Sequence, residues 1–547
     1  MDTPAGPVRT ESDLIEALRS PAAYDHPVRD VVLITTHASI VFLAGAYVYK
    51  IKKAVDLGFL DYSTLERRRQ MCDAEVRLNT RLAPEVYLGV VPVVPRGDGL
   101  AFFGDGAPVE YAVKMRRRDD AHRLDALLRA GKVSPAQLDA LADRLAEFHR
   151  SARRGPEVDA MSRPEIIEAN CEDNFPSLRA AVGEVLSRRV YRRLVRSTRR
   201  ELSQVHDRMQ RRCAAGKACE THGDLRLEHV YAQMEHGVFR GWEVVDGVEF
   251  SERYRFGDPI SDIAFLVMDL RAHGFAATAA CFESRYFEAS GDEDGRPLLR
   301  LYVAYRAAVR AKVRALQAAD GNATPRQRAA AGQAARGHAL QTLAELSEPS
   351  ERPCVVLMCG LPGTGKSVLA RGLARAAGFS VVRADVVRKE LAGLAATDSA
   401  ESSPGQGIYA PEWTRRTYAA CQQQAERVLF DGGRVIVDAT FRDDETRAQF
   451  VAAAQRWFVP VVIVHCVTER GIVHERLDTR VDDASDADWS VYVHMETVWE
   501  DFGATTRGHV MTVATDGAPA DVVDSALAGL RQRGLVGSGD PGMQSVA

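Results

Sequence analysis

Short runs of apolar residues, separated by amphipathic stretches, characterise the second half of this chain. The runs are CVVLMCG (354–360), FSVVRAD (379–385), RVIVDAT (434–440), PVVIVHCV (460–467) and HVMTVATD (509–516). Strands that are buried on both faces have such near-continuous apolar sequences, whereas strands with one wet face alternate. The pattern therefore predicts an α/β domain whose parallel sheet is covered by helices on both faces.

The first half has a different pattern, with strands gathered at its beginning and helices after them. Strand-like runs occur at 31–36, 40–45, 47–55, near 87–94 and at 109–115, with a helical stretch at 65–82 between them. From about 121 to 212 helical spacing dominates, and Leu138, Leu141, Leu145 and Phe148 recur at intervals of three and four, as one buried helix face requires. The pattern predicts a small β-rich lobe followed by a mainly helical lobe.

A polar segment that contains proline, SEPSERP at 347–353, separates the two patterns. A chain of 547 residues is too long for one ordinary core, so this segment is predicted to be a linker between domains 1–346 and 354–535. Residues 536–547 are rich in glycine and small polar residues and are predicted to form a disordered tail.

Composition excludes several classes of function. Hydrophobic residues make up 46% and charged residues 27%, as in a soluble globular protein, and the net charge of −4 argues against bulk binding to nucleic acid or to an anionic membrane. The nine cysteines include no CxxC pair, and the first residues lack the apolar segment of a secretory signal. These features predict a cytoplasmic protein with reduced cysteines and no membrane span.

A complete phosphate-binding motif follows the first apolar run of the second half. GLPGTGKS at 360–367 fits G-x-x-x-x-G-K-[ST] and lies between a strand and a helix, the context that the mechanism requires. The glycines allow backbone N–H groups to curl around phosphate, Lys366 adds a charge over the β and γ oxygens, and Ser367 can ligate Mg²⁺. The alternative, a glycine-rich turn with a solvated lysine, does not account for the full template. The predicted ATP-binding residues are Gly360, Leu361, Pro362, Gly363, Thr364, Gly365, Lys366 and Ser367.

Five charged positions downstream are candidates for the acceptor side, the metal and a lid over the phosphates. Asp385 and Arg388 follow the second strand, where an acid can accept a hydroxyl proton and an arginine can hold an anionic group. Asp438 ends the third strand and is a candidate Mg²⁺ ligand. Arg476 and Arg480 lie four apart on one helical face and could close over the phosphates. The alternatives stay open: a helix N-cap for Asp385, a strand-end cap for Asp438 and a solvated helix face for the arginines.

Over about 352–535 this arrangement resembles P-loop kinases of the polynucleotide 5′-kinase, gluconate kinase and zeta-toxin type. The resemblance implies that Asp385 is the general base, that Arg388 binds a phosphate of the acceptor, and that Arg476 or Arg480 belongs to a lid. Members of that group phosphorylate very different hydroxyls, so the resemblance leaves the acceptor open.

The first half carries a second constellation. HGD at 222–224 is followed by a strand that ends at Asp246 and by GDPISDIA at 257–264. This order resembles the aminoglycoside phosphotransferase family of protein-kinase-like enzymes, over about 30–345. The resemblance implies a bilobal α+β fold, with YAVKMRR (111–117) as the hinge that meets adenine.

The same resemblance assigns roles to individual residues. It implies that Asp224 accepts or orients the proton of the substrate hydroxyl, that Asp246 holds Mg²⁺, and that Lys50, paired with Glu75, steadies the α- and β-phosphates. Asp262 would hold the catalytic loop from behind. Lys52 shares the strand face of Lys50, so an exposed basic strand edge is an alternative for these lysines.

One position departs from the family pattern. His229 stands where such enzymes place a metal-binding Asn. Mg²⁺ prefers hard oxygen ligands whereas imidazole suits softer transition metals, so His229 is a candidate metal ligand that puts a second ion in doubt. Glu228 could supply an oxygen in its place.

Taken together, the chain resembles the bifunctional aminoglycoside phosphotransferase/ATP-binding proteins. The predicted function is ATP- and Mg²⁺-dependent transfer of the γ-phosphate to a hydroxyl of a small molecule, with two nucleotide sites. A second hypothesis is a nucleotide-sensing pseudokinase domain that regulates one active P-loop kinase. A third, disfavoured by the net charge, is action on a polynucleotide 5′-hydroxyl. The arginine-dense helical stretch around 179–212 favours an anionic acceptor or a partner surface over a polycationic aminoglycoside.

Overall fold

In the computed structural model of the chain, the described residues are 10–56, 58, 60–395, 398, 406–479, 485 and 487–537. They form two compact units. Unit 1 comprises the chain up to Ile167 together with Val205–Leu270 and Phe275–Tyr302. Unit 2 comprises Glu168–Gln204, Arg271–Gly274 and the chain from Val303 onward.

Unit 1 opens with a six-stranded antiparallel sheet in the order β1-β2-β3-β6-β4-β5. Helix α2 packs against β4 and β6, and the predicted β-rich lobe is confirmed. The elements are α1 (Glu11–Leu18), β1 (Val31–Thr35), β2 (Ser39–Ala44), β3 (Tyr47–Lys52), α2 (Leu65–Asn79), β4 (Tyr87–Arg96), β5 (Gly99–Ala101) and β6 (Glu110–Arg116).

Helices dominate the next two hundred residues, as predicted, and two small antiparallel pairs, β7 with β10 and β8 with β9, interrupt them. These elements are α3 (Leu124–Arg129), α4 (Pro135–Ser151), α5 (Pro156–Met161), α6 (Pro164–Glu172), α7 (Phe175–Ala180), α8 (Arg188–Ala214), β7 (Cys219–Glu220), β8 (Val230–Glu235), β9 (Val238–Val244), α9 (Glu252–Arg255), β10 (Phe256–Gly257), α10 (Pro259–Ala272), α11 (Ala276–Ser290) and α12 (Leu299–Ala318). Helix α4 begins with a capping box between Ser134 and Gln137, which satisfies two N-terminal donors, and its apolar stripe is buried as its spacing predicts.

Unit 2 contains a five-stranded, all-parallel sheet in the order β12-β13-β11-β14-β15. Its elements are α13 (Pro325–Leu346), β11 (Cys354–Cys359), α14 (Lys366–Ala377), β12 (Ser380–Arg383), α15 (Ala384–Leu391), α16 (Pro411–Phe430), β13 (Arg434–Asp438), α17 (Asp444–Arg456), β14 (Val461–Val467), α18 (Arg470–Asp478), α19 (Trp489–Thr497), α20 (Ala504–Arg507), β15 (Val510–Ala514) and α21 (Pro519–Gln532). The five predicted strands and the parallel sheet are confirmed. Short 3-10 turns lie at Pro21–Ala23, Asp120–His122, Leu227–His229, Glu293–Leu298, Pro349–Glu351 and Gly407–Tyr409.

The core of unit 2 extends beyond the predicted P-loop domain. Leu178, Leu194 and Leu340, which precede the predicted linker, are buried in one cluster with Leu357 of β11 and Val437 of β13. The contacts thus group some helices of 168–346 with the parallel sheet, because their apolar faces are buried there. The linker at 347–353 lies within unit 2, and its assignment as a domain boundary stays a prediction.

The chain end requires one correction. Leu535 and Val536 are buried in the second core cluster of unit 2, so the compact fold continues one residue into the predicted tail 536–547. Residues 538–547 lie outside the described residues. Among the described helices, none combines the length and apolarity needed to cross a bilayer.

Candidate active sites

The phosphate-binding loop of unit 2 joins β11, the central strand of the sheet, to α14. Gly360, Gly363 and Gly365 have φ values of +142°, +77° and +80°, which side chains rarely adopt. A Cβ on Gly360 would lie 2.6 Å from the carbonyl oxygen of Cys466, and one on Gly363 would lie 2.7 Å from Cγ1 of Val473. Only glycine allows this loop to curl so closely against its neighbours.

Lys366 is the first residue of α14 and turns back over the loop. Its Nζ donates a hydrogen bond to the carbonyl oxygen of Leu361 at 2.7 Å. Burial lowers the pKa of Lys366, although the carboxylates of Asp438 and Asp385 oppose this shift. The ammonium group therefore lies at the loop with two acidic side chains in electrostatic range.

Asp438 and Ser367 place hard oxygen atoms beside this lysine. The Ser367 hydroxyl donates to Asp438, and Nε of Arg383 lies 3.6 Å from the second oxygen, Oδ2, of that carboxylate. Burial raises the pKa of Asp438, and Lys366 and Ser367 counteract the rise. A hydroxyl and a carboxylate at the end of a parallel strand suit Mg²⁺, which prefers oxygen ligands and keeps several waters.

The acceptor-side candidates lie on the neighbouring strand-to-helix turn. β12 pairs with β13 so that Arg383 is level with Asp438, and Asp385 follows in the first turn of α15. Arg388 donates from NH1 to Oδ1 of Asp385 at 3.1 Å, and its guanidinium lies 5.0 Å from the ring centre of Tyr409. The structure therefore brings Asp385 and Arg388 together at the carboxyl edge of the sheet, where open α/β sheets bind ligands.

Arg476 approaches the loop from α18. Its NH2 donates to the carbonyl oxygen of Thr515 at 2.7 Å, and its NH1 is buried with no hydrogen-bond partner among the described residues. A Cβ on Gly365 would lie 3.4 Å from this NH1. A buried guanidinium donor beside a phosphate-binding loop is suited to a phosphate oxygen. Arg480, the other candidate lid residue, lies outside the described residues.

In unit 1, Lys50 of β3 joins two carboxylates. Its Nζ lies 2.9 Å from Oε1 of Glu75 on α2 and 2.7 Å from Oδ1 of Asp246. Burial would lower the pKa of Lys50, but Asp246 and Glu75 together hold it well above its usual value. The predicted β3 lysine, helix glutamate and metal-site aspartate are therefore adjacent.

Lys52, on the same face of the strand, forms a second set of ion pairs, which is fully buried. Its Nζ lies 2.8 Å from Oε2 of Glu75 and also contacts Glu249, whose Oε1 accepts a hydrogen bond from Tyr62 at 2.8 Å. The Lys52 side chain is 0% exposed. The alternative of an exposed basic strand edge is therefore wrong for both lysines, because buried carboxylates neutralise them.

Asp246 has an unusual backbone that its neighbours hold in place. Its φ is +64°, and its N–H donates to the Tyr87 hydroxyl at 3.0 Å. The next amide, of Gly247, donates to Oδ1 of Asn79 at 2.7 Å. Lys50 holds the pKa of Asp246 well below its usual range, and 48% of the side chain is exposed. Strained backbone of this kind persists only where surrounding contacts fix it, and it is frequent at functional sites.

The loop that carries Asp224 is held from behind. Asp262 is fully buried and accepts hydrogen bonds from the amides of His222 and Gly223, both at 2.9 Å, and from Nε2 of His149 at 3.1 Å. Burial opposes the charge of Asp262, but these donors lower its pKa to about 2. The carboxylate therefore fixes the turn that precedes Asp224.

Arg226, which the sequence interpretation did not select, dominates the surroundings of Asp224. Its Nε and NH2 donate to the two carboxylate oxygens of Asp224, each at 3.0 Å, and its NH1 contacts Glu228. Burial would raise the pKa of Asp224, but Arg226 and His229 lower it. The only signal in the sequence is that Arg226 stands two residues after the predicted catalytic aspartate.

His229 lies between the two predicted catalytic and metal-binding aspartates. Its Nδ1 donates to the carbonyl oxygen of Asp224 at 2.9 Å, and its Nε2 accepts from Arg226 at 3.0 Å. The same Nε2 is 3.7 Å from Oδ2 of Asp246. Both ring nitrogens have protein partners, so metal ligation by His229 stays a prediction that would require Arg226 to move.

Neither site contains a complete set of protein metal ligands. Within the described part of the chain, no three His, Cys, Asp or Glu side chains converge as a metal site. Beside its lysine, each site instead presents a candidate metal carboxylate, Asp246 in unit 1 and Asp438 in unit 2. This composition fits Mg²⁺ that arrives with nucleotide phosphates and completes its shell with their oxygens and water.

Comparison with known proteins identifies the relatives of this chain. A family model described as AAA domain matches residues 355–500. Uncharacterized protein Rv2004c of Mycobacterium tuberculosis (strain H37Rv) is 31% identical over 465 residues, 84% of this chain and 89% of that protein. Uncharacterized protein Mb2027c of Mycobacterium bovis has the same identity and coverage. The chain belongs to the family of these proteins.

Two solved structures are also similar. A choline/ethanolamine kinase family protein from Mesorhizobium loti is 15% identical and covers 61% of this chain and 98% of its own, with a TM-score of 0.35. A gluconokinase from Sinorhizobium meliloti 1021 is 18% identical and covers 33% of this chain and 94% of its own, with a TM-score of 0.25.

The AAA match and the two observed folds agree with the sequence resemblance. The matched residues 355–500 include the predicted phosphate-binding loop, and the predicted parallel sheet is observed around it.

Proposed function

We propose that the chain is an ATP- and Mg²⁺-dependent phosphotransferase whose P-loop unit transfers the γ-phosphate of ATP to a hydroxyl of a small molecule. The observation that carries this proposal is that three charged groups converge at the carboxyl edge of the sheet. They are Lys366, Asp438 and Asp385, each within electrostatic range of the others. A phosphate loop alone serves motors and switches equally well, but an acid on the adjacent turn supplies an acceptor side.

Each residue of this edge has a distinct task in the proposed reaction. The amides of the loop and Lys366 bind the β- and γ-phosphates of ATP, and the unpartnered NH1 of Arg476 donates to the charge that develops on the transferred group. Asp385 accepts the proton of the attacking hydroxyl, and Arg388 orients that carboxylate or holds an anionic group on the acceptor. Mg²⁺, when bound at Ser367 and Asp438, neutralises phosphate charge.

We propose further that unit 1 binds a second Mg²⁺-ATP. Lys50 would contact the α- and β-phosphates while Glu75 holds its ammonium in place, and Asp246 would supply the metal carboxylate. Asp224 would orient the acceptor hydroxyl of this unit. We also propose that the acceptor is a small molecule and that the protein is cytoplasmic.

A screen of the intact protein would test the transfer reaction. The protein would be incubated with γ-labelled ATP, Mg²⁺ and a library of sugars, sugar acids, amino alcohols, aminoglycosides and 5′-hydroxyl oligonucleotides, with phosphorylated product as the readout. Asp385→Asn is expected to reduce product from the P-loop unit by about 10²- to 10⁴-fold, since it removes the proposed base. Asp521→Asn, at an exposed aspartate in the first turn of α21, is the matched control.

A product that Asp385→Asn forms at the wild-type rate would contradict the assignment of the base in unit 2. Labelling of oligonucleotides alone would replace the small-molecule acceptor with a polynucleotide 5′-hydroxyl.

One observation favours a second candidate function, in which unit 1 is a nucleotide-sensing pseudokinase that regulates unit 2. Both oxygens of Asp224 are engaged by Arg226, and a carboxylate with a lowered pKa is a weak base. Asp224→Asn in the same screen separates the candidates. Loss of one product would establish catalysis by unit 1, whereas an unchanged product profile with altered nucleotide dependence would favour the pseudokinase.

A further inference from the structure

Unit 2 has a second polar cleft at the amino edge of its parallel sheet, opposite the phosphate-binding loop. We call it the arginine cleft, and its volume is about 690 Å³, within the range of small-molecule sites. It is lined by Arg188, Arg189, Arg192, Arg193, Arg196, Ser350, Glu351, Gly378, Gly432, Gly433 and Arg434. The described lining therefore contains six arginines and one carboxylate.

One wall of the cleft is the first two turns of α8. Residues 188–196 span about 12 Å of helix axis, and the arginines recur there at intervals of three and four, so they share one face. Arg188, Arg189, Arg192 and Arg196 are exposed, and none of these four makes a hydrogen bond or an ion pair with a described residue. The row is therefore uncompensated positive charge.

The position of this row in its helix adds to the excess charge. The amino end of a helix carries a partial positive charge, and cations are unfavourable there. Burial lowers the pKa of Arg193, Glu351 opposes this shift, and repulsion from Arg189 and Arg196 adds to it. A bound anion would relieve the mutual repulsion and the unfavourable dipole interaction together.

The floor of the cleft is also built around the guanidinium groups of Arg434 and Arg193, and NH2 of Arg193 lies 3.9 Å from Oε2 of Glu351. Arg434 is 5% exposed and donates to the carbonyl oxygens of Ser350 and Ala377 at 2.5 and 2.6 Å. Arg193 donates to the carbonyl oxygens of Gly432 and Glu351 at 2.6 and 2.9 Å. These bonds fix the orientation of both side chains and leave their charges in place.

We propose that the arginine cleft binds a small, multiply phosphorylated ligand through its phosphate groups, at a site separate from the phosphate-binding loop. The planar fork of arginine matches phosphate oxygens in pairs. None of the described residues that line the cleft is aromatic, whereas sites that bind single-stranded nucleic acid usually supply aromatic rings for the bases. The chemistry of the lining therefore selects phosphates and offers nothing for a nucleobase.

The cleft is placed to affect the loop site through the strands. Arg434 begins β13 and Asp438 ends it, about 13 Å further along at the usual rise of a strand. Residues 350–351 precede β11, which ends at the phosphate-binding loop, and Gly378 precedes β12, which leads to Asp385. The turns that form the floor thus continue into the strands that carry the proposed catalytic groups.

A calorimetric titration of tripolyphosphate into the intact Lys366→Ala protein, in the presence of EDTA, would test this proposal. The lysine substitution weakens the loop site, and the chelator removes binding that depends on metal. We expect one tripolyphosphate per chain, with an affinity that falls as salt is raised. Arg189→Gln/Arg192→Gln in this background should weaken binding at least tenfold. The matched control, Arg199→Gln/Arg211→Gln, removes two exposed arginines of the same helix outside the cleft and should change the affinity less than twofold.

Three outcomes would overturn the proposal. The first is no measurable binding by the Lys366→Ala protein. The second is an equal loss of affinity in the two double variants, which would mean diffuse attraction by net charge. The third is tighter binding of an oligonucleotide without terminal phosphates than of tripolyphosphate, which would make the cleft a nucleic-acid-binding surface. Wild-type circular dichroism of both variants would show that they are folded.

Discussion

At the scale of single residues, two lysines on one strand face differ in what surrounds them. The Lys50 side chain is 16% exposed and forms an ion pair with Asp246, whose side chain is half exposed. The Lys52 side chain is fully buried and forms an ion pair with Glu249. Glu75 contacts both ammonium groups. Removal of a lysine therefore has different consequences for the carboxylates that it leaves behind.

Lys52→Met should destabilise unit 1 by about 3 kcal/mol or more, since it leaves Glu249 buried without its cation. Lys50→Met is the matched variant and should cost less, because Glu75 keeps Lys52 and Asp246 reaches solvent. Urea unfolding at neutral pH measures the difference. Equal losses of unfolding free energy in the two variants would contradict the assignment of Lys52 as the structural lysine.

Asp262 gives a residue-scale prediction with a defined pH dependence. The pKa of Asp262 is lowered from 3.8 to about 2 in the folded protein. Above pH 4 the ionised carboxylate therefore contributes about 2 kcal/mol to the free energy of unfolding, and this contribution is lost as pH falls from about 4 towards 2. Asp262→Asn should therefore be less stable than wild type at pH 7. The difference in unfolding free energy between the two proteins should be about 1 kcal/mol smaller at pH 3.

Urea unfolding at the two pH values measures this gap. Asp105→Asn, at an exposed loop position of unit 1, is the control and should show no gap at either pH. A gap that is constant with pH would mean that the charge of Asp262 does not hold the loop.

At the scale of elements, the strand-to-helix turns decide where the chemistry lies. The loop between β11 and α14 needs three glycines because all three have positive φ, and at Gly360 and Gly363 neighbouring atoms also leave no room for a Cβ. Helix α18 packs Val473 and Leu477 against this loop and brings Arg476 to it. The loop and α18 therefore act as one phosphate-binding element.

Gly363→Ala should reduce ATP binding by unit 2 more than tenfold, since the added Cβ would lie 2.7 Å from Val473 at a φ of +77°. Gly471→Ala is the control on the adjacent helix α18, where nothing lies within 4 Å of the added methyl group. That variant should bind ATP normally and be slightly more stable, because alanine favours helix. Calorimetric titration of Mg²⁺-ATP measures both, and normal binding by Gly363→Ala would contradict the role of the loop.

At the scale of the whole molecule, two compact units share one chain, and each has its own lysine beside a carboxylate. The proposed function therefore requires two nucleotides per chain. The core of unit 2 also includes helices that precede the P-loop sequence, and one of them, α8, forms a wall of the arginine cleft.

Titration of the intact protein with Mg²⁺-ATP should give two sites. Lys366→Ala and Lys50→Met should each retain one, since each removes a phosphate contact from a different unit. Ligand binding also raises unfolding free energy by mass action, so each variant should lose part of the ATP-induced rise in melting temperature. One site in the wild-type protein, unchanged by Lys50→Met, would remove unit 1 as a nucleotide site.

Much of this molecule followed from the order of residues alone. The five buried strands, the glycine-rich loop and the β-rich lobe were predictable because periodicity and local turn chemistry act over a few residues. The pairing of Lys50 with Glu75 came from a family resemblance, and the sequence by itself left Lys50 and Lys52 equivalent.

Only the tertiary structure decided which groups meet across long separations. It placed Lys52 against Glu249, closed Arg226 over Asp224, left one nitrogen of Arg476 unpartnered beside the loop, and joined the start of α8 to the turns before β11 and β13. Such contacts depend on how whole elements pack, and the identity of a residue and its neighbours in sequence does not specify which distant surface will bury it. The sequence therefore determined the elements and their chemistry, and packing determined their partners.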